Sequence, residues 1–209
     1  MERIVRFIRD YGHTKIGIQL AHAGRKDSTD ASWRDDDYGG SLENRMRYPL
    51  EVFEAMRAVW PDEKPPGVRF SATDWVDGGW ALEDSVAYAK TLEARGCDFM
   101  HVSPRGNSPA QKITVRPGYQ VGFAAEVKRH VSVPVMTVGK ISDPLQAETI
   151  LMGDQVDMIA LGRGMLYDPH WAWHAADALG NEAPFPPQYA RAHPSLMGLP
   201  IPGSPPVKK

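Results

Sequence analysis

A chain of 209 residues with 42% apolar content is long enough to bury a core, and its net charge of −2 gives no general attraction for nucleic acid or an anionic membrane. The single cysteine, Cys97, excludes an internal disulfide, and no apolar run approaches the roughly 18 residues that a membrane-spanning helix needs. The N-terminal residues are charged throughout, unlike a signal peptide. We therefore expect a cytoplasmic protein with neither nucleic acid nor membrane as a partner.

Apolar runs of strand length alternate with segments of helical spacing along the chain. Strands are predicted at residues 15–22, 67–72, 99–103, 133–138 and 158–161, and helices at 2–11, 41–60, 82–95, 119–130 and 145–152. Ser41, Asp143 and Asp168 are candidate helix caps, the last two followed by proline. The alternation predicts about five parallel strands with helical crossovers.

Glycines and cations follow the last two predicted strands. Gly139 and Lys140 come after the strand at 133–138, and Gly162, Arg163 and Gly164 follow the next one. Backbone N–H groups without a neighbouring Cβ can converge on an anion, and in a β/α barrel the corresponding loops form the usual phosphate site. The sequence predicts a phosphate cradle here, although the same glycines are also typical of chain turns.

Two polar side chains lie inside predicted strands. Gln19 is either a hydrogen-bonded core amide or a group that faces a ligand. Arg69 requires a partner for its planar guanidinium, either a carboxylate in a buried ion pair or a ligand such as a phosphate or a heteroaromatic carbonyl edge. Neither Cys97 nor the seven scattered histidines have the spacing of a metal site, so no metal is predicted.

Several segments together resemble one known family. They are IGIQLAHAGRK, DDDYGGSLENRMRYPLEVFEAMRAVW, VRFSATDW, PGYQ, VGKISD and LGRGMLYDPHW. In this order they resemble the old yellow enzyme family of FMN-dependent oxidoreductases, in particular its thermophilic-like NADPH dehydrogenase branch. The segment YGGSLENR at residues 38–45 is the most specific of them.

The resemblance implies a fold, a cofactor and a reaction. The family is an α/β protein of the (β/α)8 TIM-barrel class that binds FMN and reduces activated alkenes with NADH or NADPH. It assigns cofactor binding to Gln19, Arg69, Gly139, Lys140, Gly162 and Arg163. It assigns Arg191 to a contact with substrate or with a neighbouring subunit, which allows a homo-oligomer. A partial barrel that binds FMN is therefore expected at residues 1–180, with a proline-rich, largely unpacked tail at 181–209.

Parts of the family pattern are missing from this sequence. The resemblance begins at the third strand of the barrel, and the fourth strand is also absent, so an incomplete barrel is expected. The family's histidine pair and proton-donating tyrosine belong to that fourth segment, and the catalytic residues of this chain stay unknown. The polar stretch at 23–40 should therefore carry no paired strand. Ene-reduction is expected to be impaired, and the alternative is a non-catalytic remnant that acts at most as an interaction module. An aldolase or isomerase using Lys140 is a third, weaker interpretation.

Overall fold

The computed structural model describes residues 5–6, 9–10, 15–19, 36–104, 111–182 and 189. The chain divides into two compact units, one made of Met1–Ala21 with His170–Lys209 and the other of His22–Pro169. Each unit is treated by itself. The tail predicted at 181–209 lies outside the described residues except for 181–182 and 189.

The unit His22–Pro169 contains a parallel sheet of four strands in the order β1-β2-β3-β4. The strands are Gly67–Phe70 (β1), Phe99–Val102 (β2), Val135–Thr137 (β3) and Met158–Ile159 (β4). The helices are Leu42–Arg57 (α1), Leu82–Ala94 (α2), Val121–Lys128 (α3), Pro144–Met152 (α4) and Arg163–Tyr167 (α5). A helix therefore connects each strand to the next one, as the sequence predicts.

The two faces of the sheet differ in burial. Met100, Val102, Val135 and Thr137 are fully buried on one face, where α3 packs on β2 and β3. The other face carries a row in register across all four strands, and it consists of Arg69, His101, Met136 and Met158. Arg69 is exposed and the other three are half-buried. The helix side of the sheet thus holds the core, and the opposite side is more open.

The helix caps are partly as predicted. The Asn44 N–H donates to the Ser41 hydroxyl at 3.2 Å, and the Gln146 N–H donates to the Asp143 carboxylate at 2.8 Å. Both predicted starts are confirmed, because this cap chemistry is local. The third one is wrong, because Asp168 ends α5 and the next helix, Trp171–Ala178 (α6), begins after His170. The Asp168 N–H donates back to the Gly164 carbonyl at 2.8 Å, which places it at the end of α5.

The strand predicted at 15–22 is the main correction to the fold. Residues 15–19 have no regular secondary structure and their side chains are exposed, while 20–22 lie outside the described residues. A strand persists only as one side of a hydrogen-bonded ladder, and these residues pair with no strand of the described sheet. The described sheet therefore has four strands rather than about five. In the helix predicted at 2–11, residues 5–6 and 9–10 are helical.

Candidate functional site

The loops that follow β3 and β4 lie side by side at one edge of the sheet. The Ala160 N–H donates to the Thr137 carbonyl at 2.7 Å, which joins the two strands where they end. A Cβ built on Gly164 would lie 3.9 Å from the Cβ of Ser142, so the loops also adjoin beyond the strands. The structure thus brings the two glycine-bearing segments predicted from sequence onto neighbouring loops.

The backbone of these loops has positive φ angles after β3 and is open at Gly162. Gly139 has φ +127° and Lys140 has φ +54°, so two successive residues adopt conformations in which φ is positive. A Cβ on Gly162 would meet no atom within 4 Å, which leaves this backbone open. Gly162 and the side chains of Lys140 and Arg163 are exposed. Two cations and accessible backbone therefore occupy one edge, an arrangement that suits a phosphate.

Arg69 is exposed rather than buried, in contrast to the sequence-based expectation. Its Nη2 atom donates to the hydroxyl of Ser103 at 3.2 Å, and Ser103 is buried just beyond the end of β2. Only the burial expected for this strand is wrong, because the face that carries Arg69 is the more open one, and the contact of Arg69 with a ligand stays a prediction. The guanidinium reaches toward the strand ends and its hydrogen bond goes to a hydroxyl.

His101 is a neighbour of Arg69 that the sequence-based site assignment did not include. The two residues are partners in the β1–β2 register. The Nε2 atom of His101 is buried and has no hydrogen-bond partner among the described residues. Burial, with a smaller contribution from the charge of Arg69, lowers the pKa of His101 to about 4. The imidazole is therefore neutral near pH 7. A histidine inside the apolar run FMHV was the available sequence signal.

Gln120 is a second residue of this edge without a predicted role, although it belongs to the motif PGYQ. Its side chain is buried, with 4% exposure. Its Nε2 donates to the carbonyl of Pro104 at 3.2 Å and lies 2.7 Å from the Tyr119 hydroxyl. The indole N–H of Trp75 donates to the same Pro104 carbonyl at 3.2 Å. Loops that follow β1 and β2 are thereby joined to the start of α3.

Two predicted site residues, Gln19 and Arg191, stay predictions. Gln19 is exposed in the irregular segment 15–19, within the separate unit that contains Met1–Ala21. Arg191 lies outside the described residues.

The segment YGGSLENR packs against a neighbouring helix. The Nη1 of Arg45 lies 3.2 Å from Oδ2 of Asp84 in α2, and its guanidinium carbon is 5.5 Å from the centre of the Trp80 ring. The Tyr38 hydroxyl donates to Glu51 at 3.3 Å. The Arg45 contacts attach the start of α1 to α2 and to Trp80, which precedes it, and the Tyr38 contact attaches the preceding turn to α1.

Two other chemistries receive no support from the described residues. Across the described ranges, no group of three His, Cys, Asp or Glu side chains is arranged to hold a metal ion. Cys97 is a buried free thiol, and burial raises its pKa to about 11, so it is not an activated nucleophile.

In the same ranges, no helix combines the length and the apolar character required to cross a membrane.

Residues 28–182 match the model of the NADH:flavin oxidoreductase / NADH oxidase family. The chain belongs to this family. An NADPH dehydrogenase of Geobacillus thermodenitrificans is 41% identical over 158 residues, which cover 76% of this chain and 46% of that protein. A NADH oxidase of Thermoanaerobacter brockii is 37% identical over 84% of this chain and 28% of its own length. The resemblance seen in the sequence is thus confirmed, and the chain spans about half the length, or less, of these relatives.

Solved structures of the same type share the fold. A 2-naphthoyl-CoA reductase matches with a TM-score of 0.62 and 28% identity, over 71% of this chain and 23% of its own. Morphinone reductase in complex with tetrahydroNAD matches with a TM-score of 0.56 and 25% identity, over 78% of this chain and 42% of its own. The four parallel strands and their crossover helices are therefore part of a TIM barrel, and the predicted fold class is confirmed.

Proposed function

We propose that this chain binds FMN at the edge of its sheet where the strands end, as an oxidoreductase that takes electrons from NADH or NADPH. Membership of the NADH:flavin oxidoreductase family supports the cofactor and the reductant. The observation that carries the proposal is the meeting of the loops after β3 and β4, with exposed backbone and two cations at one edge. Ligands of β/α barrels bind at this end of the strands.

The phosphate of FMN fits the loops after β3 and β4. The backbone at Gly162 is open, and Lys140 and Arg163 present exposed positive charges on adjoining loops. Arg163 has a guanidinium that can bind two phosphate oxygens at once, whereas Lys140 acts as a compact point charge. Gly139 supplies the backbone shape from which Lys140 projects. These four residues are the ones we assign to the phosphate.

Arg69 is the residue that we assign to the flavin ring. Its guanidinium is exposed, and its hydrogen bond to Ser103 occupies one Nη2 donor of a group with five donors. When bound, FMN supplies the hydride-transfer chemistry of the family. The role of Arg69 is to donate hydrogen bonds to the ring and to stabilise negative charge there. Gln19 stays a prediction for the edge of the flavin ring. Arg191 stays a prediction for a contact with the substrate or with a neighbouring subunit.

An activated alkene is the proposed substrate class, and its turnover by this chain is expected to be poor. The resemblance places the family's substrate-binding histidine pair and proton-donating tyrosine in a segment that this sequence lacks. Cofactor binding is therefore better supported by the residues present than ene-reduction is. The second candidate is an interaction module without turnover. Within the described sheet β1 and β4 each pair on one side only, and such edge strands can pair with another chain.

The proposal is tested by adding FMN to the purified chain and following the quenching of flavin fluorescence. We expect saturable binding and a yellow protein after removal of free flavin. Arg163→Ala should weaken FMN binding, because it removes the cation beside the open Gly162 backbone. The matched control is Arg129→Ala, since Arg129 is an exposed arginine paired with Glu126 at the other end of α3. A chain that stays colourless and leaves FMN fluorescence unchanged would contradict the proposal, as would equal losses in the two variants.

A further inference from the structure

Gln120 lies against the backbone that shapes the loop after β3. A Cβ built on Gly139 would be 2.9 Å from both Cβ and Cγ of Gln120 and 3.2 Å from its backbone nitrogen. Real Cβ atoms do not approach so closely, so the Gln120 side chain fills the space beside Gly139. The Gly118 N–H also donates to the Gly139 carbonyl at 2.9 Å. The segment before α3 therefore contacts the β3 exit through both packing and a backbone hydrogen bond.

The amide of Gln120 is fixed from its other side. Its Nε2 donates to the Pro104 carbonyl, and because a carbonyl oxygen can only accept hydrogen bonds, the amide nitrogen and not the amide oxygen must point there. The Oε1 atom is buried without a hydrogen-bond partner among the described residues. A buried carbonyl oxygen left unpaired is costly. The side chain keeps this orientation because the hydrogen bond to Pro104 and the packing against Gly139 both fix its position.

The turn that Gln120 supports has an unusual backbone. Gly139 at φ +127° is followed by Lys140 at φ +54°, and the second residue is not a glycine. A positive φ is strained in a residue with a Cβ such as Lys140, and such a conformation persists when the surrounding structure over-determines it. The three atoms nearest to the position that a Cβ of Gly139 would take all belong to Gln120. The shape of this turn therefore depends on Gln120.

We propose that Gln120 is a positioning residue that holds the Gly139–Lys140 turn in the shape required to bind the phosphate of FMN. The inference rests on the proposed function, because it presumes that this turn receives the phosphate. Gln120 acts through Gly139 and does not itself contact the cofactor. Removing its side chain should therefore weaken the recognition of the phosphate specifically, and leave binding of the flavin ring to Arg69 less affected.

The test compares FMN with riboflavin, which has the same ring system but no phosphate. Dissociation constants are measured by fluorescence quenching for the native chain, Gln120→Met and Gln120→Ala. The methionine keeps Cβ and Cγ beside Gly139 but cannot donate to the Pro104 carbonyl or the Tyr119 hydroxyl, whereas the alanine also loses Cγ. We expect the native preference for FMN over riboflavin to fall about threefold to tenfold, as for one lost hydrogen bond, and more in the alanine variant. A loss in Gln120→Ala alone would assign the positioning to the Cγ contact.

The matched control is Trp75→Phe. Trp75 donates to the same Pro104 carbonyl over the same 3.2 Å, but none of its atoms is among the three nearest to the Cβ position of Gly139. The Trp75→Phe substitution should lower the melting temperature of the protein without changing the ratio of its dissociation constants for FMN and riboflavin. A native preference for FMN that both Gln120 variants retain would overturn this inference alone. A native chain that binds neither flavin, or both equally, would overturn the proposed function and this inference with it.

Discussion

Arg69 and His101 lie side by side across β1 and β2, and they differ in how their polar atoms are satisfied. Arg69 is exposed and donates to the Ser103 hydroxyl, whereas Nε2 of His101 is buried without a partner among the described residues. A proton on His101 would place a second positive charge beside the guanidinium. The pair is therefore stable with the histidine neutral, and this gives the protein a measurable dependence on pH.

The first prediction is a loss of stability in mild acid caused by His101. Its pKa is about 4 in the folded chain and about 6.5 in an unfolded one. Between these values the unfolded state binds the proton more readily, so the free energy of unfolding should fall as the pH falls from about 6.5 to about 4. His101→Leu should reduce this slope. Urea unfolding at a series of pH values measures it, and a variant with the native slope would contradict the assignment.

The second prediction concerns Gly67, which faces Phe99 in the β1–β2 register. A Cβ on Gly67 would lie 2.5 Å from Cε1 and Cε2 of the Phe99 ring, far inside van der Waals contact. Gly67→Ala should therefore destabilise the protein by about 1–3 kcal/mol, the range for overpacked sites. Thermal or urea unfolding measures the change. Combining Gly67→Ala with Phe99→Ala should recover part of the loss due to the clash, and no recovery would show that the ring is not its cause.

Gly162→Ala is the companion substitution with the opposite expectation. The added Cβ meets no atom within 4 Å, and Gly162 has a negative φ of −105°. Stability should therefore stay within about 0.5 kcal/mol of the native value. FMN binding should weaken, because the methyl group covers backbone that we assign to the phosphate. A destabilised variant, or one that binds FMN as the native chain does, would contradict this reading of the loop.

The third prediction is that Cys97 reacts slowly with thiol reagents in the folded chain. Burial raises its pKa from 9.0 to about 11, so almost no thiolate is present at pH 8. Iodoacetamide should modify the native protein slowly and the urea-unfolded protein quickly. The same shift means that stability is lost as the pH rises from 9 through about 11, because the unfolded thiol gives up its proton first. Rapid labelling of the native chain at pH 8 would show that the thiol is accessible.

The elements that sequence predicted well are those determined locally. Ser41 and Asp143 accept hydrogen bonds from N–H groups three residues onward, and strands β1 to β4 follow from short, mainly apolar runs. The strand predicted at 15–22 had equally good composition. It failed at 15–19 because a strand also requires a neighbour, and sequence composition does not reveal whether one is present.

The candidate site was predictable where it depends on strand order and not where it depends on contacts between distant residues. Parallel strands bring their ends to one edge, so Gly139 and Gly162 could be placed on neighbouring loops from sequence. The exposure of Arg69 depends on how much of the sheet is covered. The role of Gln120 depends on its contact with Gly139, nineteen positions away, which no local pattern indicates.

Two residues could in principle replace the proton donor that the sequence lacks, and the structure argues against both. The Tyr38 hydroxyl already donates to the Glu51 carboxylate of α1. His101 has a pKa of about 4, so near pH 7 it does not carry the extra proton that a general acid must give up. In the stretch 23–40, which is predicted to carry no paired strand, residues 36–40 form a turn in which the Gly39 N–H donates to the Asp36 carbonyl at 2.9 Å. Residues 23–35 lie outside the described residues.

The last prediction is therefore that this chain shows little or no enone reductase activity, even with excess FMN. Hydride transfer to an alkene requires that its activating group be polarised and that the opposite carbon be protonated. General acid catalysis typically contributes about 10² to 10⁴ in rate, and a preorganised hydrogen-bond pair about 10² to 10³. The two losses need not multiply, because such groups act as a unit, but either one is enough to suppress turnover. The assay is NADPH oxidation with cyclohexenone, run beside the fluorescence titration that shows whether FMN is bound. Turnover typical of the family in the FMN-loaded chain would contradict the prediction, and the loss of that turnover in Tyr38→Phe or His101→Leu would then identify the replacement acid.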